Sequence, residues 1–289
     1  MNQNMDHQMT DEEFEALRRM MYEISGVRLT EAKKNLVMGR LKKRLRDLQV
    51  SSFKEYISLL SKKGSGELDV FINAITTNET WFFRHEGQFT FLEKTVLPSL
   101  VDSSVANAAR MIKIWSAASS TGEEPYSIAM ICDMFFQRKP GWTFQVLASD
   151  INTEVLDRCR QAIYPERSLR YTPKVFKERY FRLVRKGQGD GRDVYQVSQE
   201  IVRRVRFSKH NLLKPPPYHG LDVIFLRNVM IYFDKKAKQT VVAHLERSLR
   251  PGGYLFISLS ESLFDIQTAF RPVQPGVFQK PLHQQRTGV

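Results

Sequence analysis

Two stretches of this 289-residue chain hold residue types whose spacing could do chemistry. The first, TTNETWFFRHEGQF, runs from Thr76 to Phe89 and sets a polar TTNET beside Trp81, Phe82, Phe83 and one arginine, Arg84. Aromatics exclude water, and an arginine beside them is either a surface ion-pair partner or a planar fork for an anion. The second, IWSAASSTGEEPYSIAM, ends an apolar strand at Ser116, continues with small residues from Ala117 to Gly122 and then opens a helix. Small residues let a ligand approach the backbone, and a helix N-terminus offers free N–H groups. The next strand-like run, TFQVLASD, ends in Asp150. An acid at the carboxyl end of a strand can accept hydrogen bonds from both hydroxyls of a ribose, so the two motifs together describe a nucleoside pocket. The glycines do not follow GxGxxG, which argues against a dinucleotide. The competing reading is a tight strand-to-helix turn with a solvated aspartate; for the three aromatics it is plain core packing.

Composition excludes other chemistries. The two cysteines, Cys132 and Cys159, form no CxxC and the six histidines are scattered, so neither a metal site nor a disulfide framework is expected. Buried thiols in a reducing compartment fit better. No apolar run approaches the roughly 18 residues of a membrane span, and the N-terminus lacks a signal pattern. The expectation is a cytoplasmic protein that is not membrane-inserted. A net charge of +13 calls for an acidic partner, which could be nucleic acid, anionic lipid or an acidic protein surface. Hydrophobic residues at 42 % supply ample core.

The elements that must position these motifs read in two blocks. TDEEFEALRRMMYEISG starts with a T-x-x-E capping box at Thr10 and Glu13 and stops at Gly26. EAKKNLVMGRLKKRLRDLQ follows, with Leu36, Val37, Leu41, Leu45 and Leu48 on one stripe and Lys33, Arg40, Lys43, Arg44 and Arg46 on the other face. SFKEYISLLSKK and GELDVFINAITT complete a small helical domain, expected over residues 10–85. The first nine residues and the last few read as frayed. From about residue 110, strand-type and helix-type runs alternate: MIKIWSAAS, EPYSIAMICDMFF, TFQVLASD, TEVLDRCRQAIY, DVIFLRN, KAKQTVVAHLERSLRPGG, YLFISLSE. Alternation of this kind specifies an α/β fold with a parallel sheet covered on both faces, here expected over 86–289. A turn-rich segment near 186–208 reads as a small β insertion. KPPPYHG, Lys214 to Gly220, resembles the (Asn/Asp)-Pro-Pro-Tyr motif of nucleic-acid amino-methyltransferases, but its first position is Pro215 and it precedes its strand, so it reads as a turn.

TTNETWFFR, WSAASSTGEEPYSIAM, ASDINTEVL, NLL and FLRNVMIYFD, in this order, closely resemble the CheR-type chemoreceptor glutamate methyltransferases over nearly the whole chain. The resemblance implies a Rossmann-like sheet that binds S-adenosylmethionine, releases S-adenosylhomocysteine and uses no metal. It carries cofactor contacts onto Asn78, Thr80, Arg84, Glu124, Asp150, Asn211, Leu212, Leu226, Arg227 and Asn228. Arg84 and Tyr232 would lie closest to the transferred methyl group. Arg40, Lys43, Arg44 and Arg46 would dock on the acidic helical bundle of a transmembrane chemoreceptor; a solvated face is the plainer reading of the same charges. The chemistry is consistent: a glutamate carboxylate is already ionised at neutral pH, so methyl transfer needs placement, desolvation and an electrostatic clamp rather than a general base. Some family members hold a receptor tether peptide on the β insertion; the loop VRKGQGDGRD is longer than in those members, which favours an enzyme that works without the tether. A monomer without nucleic-acid partners is expected. The alternatives are an RNA or DNA methyltransferase, favoured by the charge, and a non-catalytic cofactor-binding regulator.

Overall fold

The computed structural model describes residues 8–62, 64, 66–102, 110–187 and 193–282. Helices α1 (Asp11–Ser25), α2 (Lys34–Asp47), α3 (Phe53–Leu60) and α4 (Glu67–Ile75), with a 3-10 turn over Glu31–Lys33, build the N-terminal part. The capping box of α1 forms as read: Thr10 Oγ1 accepts from the Glu13 N–H at 3.1 Å, and Glu13 Oε2 accepts from the Thr10 N–H at 2.9 Å. Phe14, Leu17 and Met21 pack on Val37, Leu41, Leu45, Tyr56 and Phe71. Two expectations need correcting. Met9, read as frayed, is only 5 % exposed and belongs to this core. Leu36, read as part of the inward stripe, is 44 % exposed; Val37, Leu41 and Leu45 at four-residue spacing already fill the inward face, and Leu36 lies about 100° round the helix from it.

Helices α5 (Glu86–Phe91) and α6 (Leu97–Asp102), joined by a π-helical turn, lead into the second block. There follow β1 (Met111–Ser116), α7 (Glu123–Phe136), β2 (Thr143–Asp150), α8 (Thr153–Gln161) and β3 (Ile163–Pro165). Next come a 3-10 turn (Glu166–Leu169), α9 (Lys174–Tyr180), β4 (Phe181–Arg185), β5 (Val194–Val197), α10 (Gln199–Val202) and β6 (Val205–Lys209). The chain closes with β7 (Leu221–Leu226), a 3-10 turn (Met230–Tyr232), α11 (Lys235–Ser248), β8 (Leu249–Ile257), β9 (Arg271–Gln274) and β10 (Val277–Gln279). The main sheet has seven strands in the order β6-β2-β1-β7-β8-β10-β9. β6 through β8 run parallel, and the β9–β10 hairpin is antiparallel. β7 is buried along its whole length and β1 is buried from Ile114 to Ser116, which is why both read as largely apolar runs.

The small sheet is antiparallel, ordered β3-β5-β4, and starts well before the insertion expected near 186–208. β6, read as part of that insertion, pairs instead with β2 in the main sheet. Ile163–Pro165 reads as the end of a helix in sequence because α8 stops only at Ala162, in a left-handed conformation. The middle of the loop VRKGQGDGRD lies outside the described residues. The segment RPGG belongs to β8 rather than to the end of α11, since Pro251 cannot continue a helix and Leu249 is already extended. Gly253 is required there: a Cβ would stand 3.0 Å from the carbonyl oxygens of Arg250 and Asp222. KPPPYHG is a loop ahead of β7, with Tyr218 edge-on to Trp115 and its hydroxyl 2.7 Å from Ser208 Oγ.

The helical block sits over the carboxyl ends of the parallel strands. Tyr22 OH donates to Asp234 Oδ2 at 2.7 Å, Asn211 Nδ2 donates to the Ile24 carbonyl at 2.6 Å, and Val27 bridges Phe233. On the other side Asn73 Nδ2 donates to Thr153 Oγ1 at 2.9 Å and Asn73 Oδ1 accepts from the Thr153 N–H at 3.0 Å. The two blocks thus form the walls of one cavity.

Candidate active site

That cavity opens where β1 has β2 on one side and β7 on the other, the point at which strand order reverses. Its lining comes from six places in the chain: the segment between α1 and α2, the linker after α4, the β1–α7 loop, the end of β2, the segment after β6 and the segment after β7.

The β1–α7 loop is held open by backbone conformations that side chains seldom adopt. Ser120 has φ 48° and Gly122 φ 97°. At Gly122 a Cβ would meet the Tyr164 hydroxyl at 2.7 Å and Cys159 Sγ at 3.0 Å, so the small-residue run reflects close packing as well as turn geometry. Phe83, His85 and Asn228, all beside the cavity, also have positive φ, between 55° and 64°. Such strain persists only where surrounding contacts enforce it, and it concentrates at functional sites.

Asp150 is 8 % exposed at the end of β2 and lines the cavity. Its Oδ2 accepts from the Ser120 N–H at 2.8 Å and its Oδ1 from the Asn152 N–H at 2.9 Å. Burial pushes this carboxyl above the usual range, and the backbone donors oppose the rise. Each oxygen keeps a lone pair for a further donor. Glu124, on the first turn of α7, accepts from Ser116 Oγ at 2.8 Å and from Arg227 Nη1 at 3.2 Å. The Arg227 side chain is 2 % exposed, and its Nη2 also donates to the Arg84 carbonyl at 2.5 Å. Burial raises the Glu124 carboxyl and lowers the Arg227 guanidinium, while their mutual attraction opposes both shifts.

Arg84 lies 4.5 Å from the Trp81 ring centroid and donates through Nη1 to the Glu79 carbonyl at 3.0 Å. Its Nε is buried without a hydrogen-bond partner, in a cavity that an anion or polar ligand can enter. Tyr232 lines the same cavity from the turn after β7, with Lys33 Nζ 4.7 Å above its ring. Asn78, Thr80, Asn211, Leu212 and Asn228 also line it. The Asn78 carbonyl accepts from Ser120 Oγ at 2.9 Å, which ties the linker to the β1–α7 loop. Asn211 is fixed by Ile24 and by the Leu213 N–H, 3.0 Å from its Oδ1.

Five of the residues singled out in sequence stand elsewhere. Leu226 is fully buried in the sheet core rather than among the lining residues. Arg40 caps α4: its Nη1 reaches the carbonyls of Ala74, Ile75 and Thr76 at 2.9–3.2 Å. Arg44 is paired with the buried Glu67 through Nε at 2.8 Å and Nη2 at 2.5 Å. Both therefore have a structural role within the helical block, in addition to the docking role expected of them from the sequence. Lys43 and Arg46 are exposed on the same helix.

Three groups escaped the sequence reading. Lys33 was placed on the basic face but leans into the cavity, where burial lowers its pKa. Trp81 is part of the lining, held between the guanidinium groups of Arg84 and Arg170, unlike Phe82 and Phe83, which are core. Glu123, beside Glu124, is 3 % exposed and accepts from Thr121 Oγ1 at 2.6 Å and Ser168 Oγ at 3.2 Å. The repeated acid in GEEPYS was the visible signal, but nothing in sequence shows that both acids turn inward.

A model for the SAM-binding domain of CheR methyltransferases matches residues 78–278, and a model for the all-alpha domain of CheR methyltransferases matches residues 12–76. The chain is 38 % identical over 278 residues to "Chemotaxis protein methyltransferase 2" of Pseudomonas aeruginosa, covering 95 % of each. It is 37 % identical over 268 residues to "Chemotaxis protein methyltransferase" of Escherichia coli, covering 91 % of this chain and 88 % of that protein. The protein of that name from Borreliella burgdorferi is 35 % identical over 264 residues, 90 % of this chain and 91 % of its own. With both models matched in order and these relatives covered almost end to end, the chain belongs to the CheR methyltransferase family.

Proposed function

We propose that this enzyme methylates glutamate side-chain carboxylates of chemoreceptors, yielding γ-methyl esters and S-adenosylhomocysteine. The observation that carries the reading is the convergence of Arg84, Tyr232, Glu124 and Asp150 in one cavity at the carboxyl ends of the sheet. S-adenosylmethionine supplies an electrophilic methyl group on a sulfonium. Asp150 takes the ribose hydroxyls with its free lone pairs, and Asn78, Thr80, Asn211, Leu212 and Asn228 line the rest of the cofactor. Arg227 neutralises Glu124 and holds the Arg84 backbone. Arg84 offers its planar fork to the glutamate carboxylate, Tyr232 donates a hydrogen bond that aims one oxygen, and Trp81 keeps water off the pair. No residue is required to move a proton, because the nucleophile enters ionised.

Lys43 and Arg46 attract the acidic face of the receptor helix, while Arg40 and Arg44 hold α2 in place to present them. No helix among the described residues is long and apolar enough to cross a membrane. Among those residues there is also no cluster of His, Cys, Asp or Glu able to hold a metal ion. The nucleic-acid alternative keeps only the overall charge in its favour. The test is Arg84→Ala and Tyr232→Phe, with cofactor affinity measured by calorimetry and turnover by methyl transfer. Turnover should fall by at least tenfold with cofactor affinity changing less; an untouched rate in either variant removes that residue from the catalytic assignment.

A further inference from the structure

Beside the cavity mouth, the turn that carries Tyr232 is clamped to the loop after β8. Glu261 accepts the N–H groups of Asn228 at 3.1 Å, Met230 at 2.8 Å and Ser258 at 2.9 Å. The clamp creates a shallow cleft whose walls include Ile231, Lys235, Lys238 and Phe264. Phe264 is 92 % exposed and Ile231 51 % exposed. An aromatic side chain so fully in water, next to a second exposed apolar one, marks an interaction surface. The charges agree. Lys235, Lys236 and Lys238 crowd the first turn of α11, which has no acidic residue, although a helix N-terminus disfavours cations. None of the three has an ion-pair partner among the described residues. Asp265 is the one exposed carboxylate of the cleft, since Glu261 is spent on backbone donors.

We propose that this cleft is a second docking strip for the methyl-accepting helix, with Ile231 and Phe264 gripping apolar residues beside the target glutamate and Lys235 and Lys238 meeting its acidic neighbours. The strip lies one residue from Tyr232, so a helix seated on it passes over the reacting position; Lys33, just ahead of α2, stands 4.7 Å over the Tyr232 ring, so the basic helix borders the same turn. The inference rests on the receptor reading given above.

The test compares wild type, Phe264→Ser, Lys235→Glu/Lys238→Glu and Val175→Ser, the last removing an exposed apolar residue on α9 that does not line the cleft. Each is titrated with receptor-bearing membranes at fixed low salt, and cofactor affinity is measured separately. Both strip variants should raise KM for receptor about tenfold, the scale of one interface hot spot, with cofactor affinity and the Val175→Ser control unchanged. An unchanged KM in Phe264→Ser overturns the proposal. If that variant instead abolishes self-association in sedimentation, the patch is a contact between copies; if it abolishes flotation with anionic lipid vesicles, the occupant is a membrane surface. Either result with KM unchanged also overturns it. A wild type that methylates no receptor fails the functional reading itself, which this comparison separates from failure of the strip alone.

Discussion

Consider replacing Arg227 with methionine. The side chain is 2 % exposed and faces Glu124, itself 14 % exposed, at 3.2 Å. Methionine fills similar space but leaves the Glu124 carboxylate enclosed with only Ser116 as a donor. Removing one member of a buried pair costs about 3–5 kcal/mol, mostly as the penalty on the charge left behind. The double variant Arg227→Met/Glu124→Gln removes both charges and should recover more than half of that loss, giving a coupling energy above about 1.5 kcal/mol in a double-mutant cycle. The single variant should also respond to pH. Without its cation, Glu124 has a folded-state pKa further above its unfolded value, so the folded state binds the extra proton. Stability is then retained at low pH and lost as pH rises through the folded-state pKa. The assay is urea unfolding followed by far-UV circular dichroism at two pH values on either side of neutrality. A loss below 1 kcal/mol in Arg227→Met, or additive losses in the double variant, would refute the view that this pair is a buried and mutually dependent support of the site.

Three further outcomes follow from the same geometry. Burial pushes Glu123 up to about 7, so ionising it costs folded stability between its unfolded pKa and that value, about 3 kcal/mol; Glu123→Gln should flatten the decline of melting temperature from pH 5 to 8 relative to wild type. Arg40→Ala should cost about 2 kcal/mol by uncapping α4, whereas Lys43→Ala/Arg46→Ala should leave stability within 0.5 kcal/mol and reduce the salt sensitivity of the methylation rate, both read by thermal melts and by rates at 0.05 and 0.3 M salt. Deleting the receptor's C-terminal residues should leave the rate within twofold if the enzyme works without a tether; a tenfold drop would show the opposite.

The parallel strands were legible because β1, β2 and β7 are mostly buried and so written as short, largely apolar runs, MIKIWS, TFQVLASD and LDVIFL, with β1 closing on the small Ser116 and β2 on the acid Asp150. The helical block was legible from caps and spacing, as at Thr10 and Gly26. The edges were not. β3 spans only Ile163–Pro165, β9 and β10 are short and half-exposed, and β6 joins the main sheet by pairing with β2, a relation that no local pattern encodes. In the site, residues attached to strand ends could be placed in order along the sequence. Their pairing could not: that Arg227 reaches both Glu124 and the Arg84 carbonyl depends on β7 lying beside β1. The basic face of α2 shows the same limit. Arg40, Lys43, Arg44 and Arg46 look alike in sequence, yet two are consumed by α4 and by Glu67, and only packing decides which.

The central claim is best tested with methyl-labelled S-adenosylmethionine, by incubating the purified enzyme with receptor-bearing membranes and, separately, with total RNA. Label on receptor-sized protein that leaves as methanol in mild base is the predicted result, because only a carboxyl ester hydrolyses in that way. Label that resists base, or that appears on RNA, would contradict it.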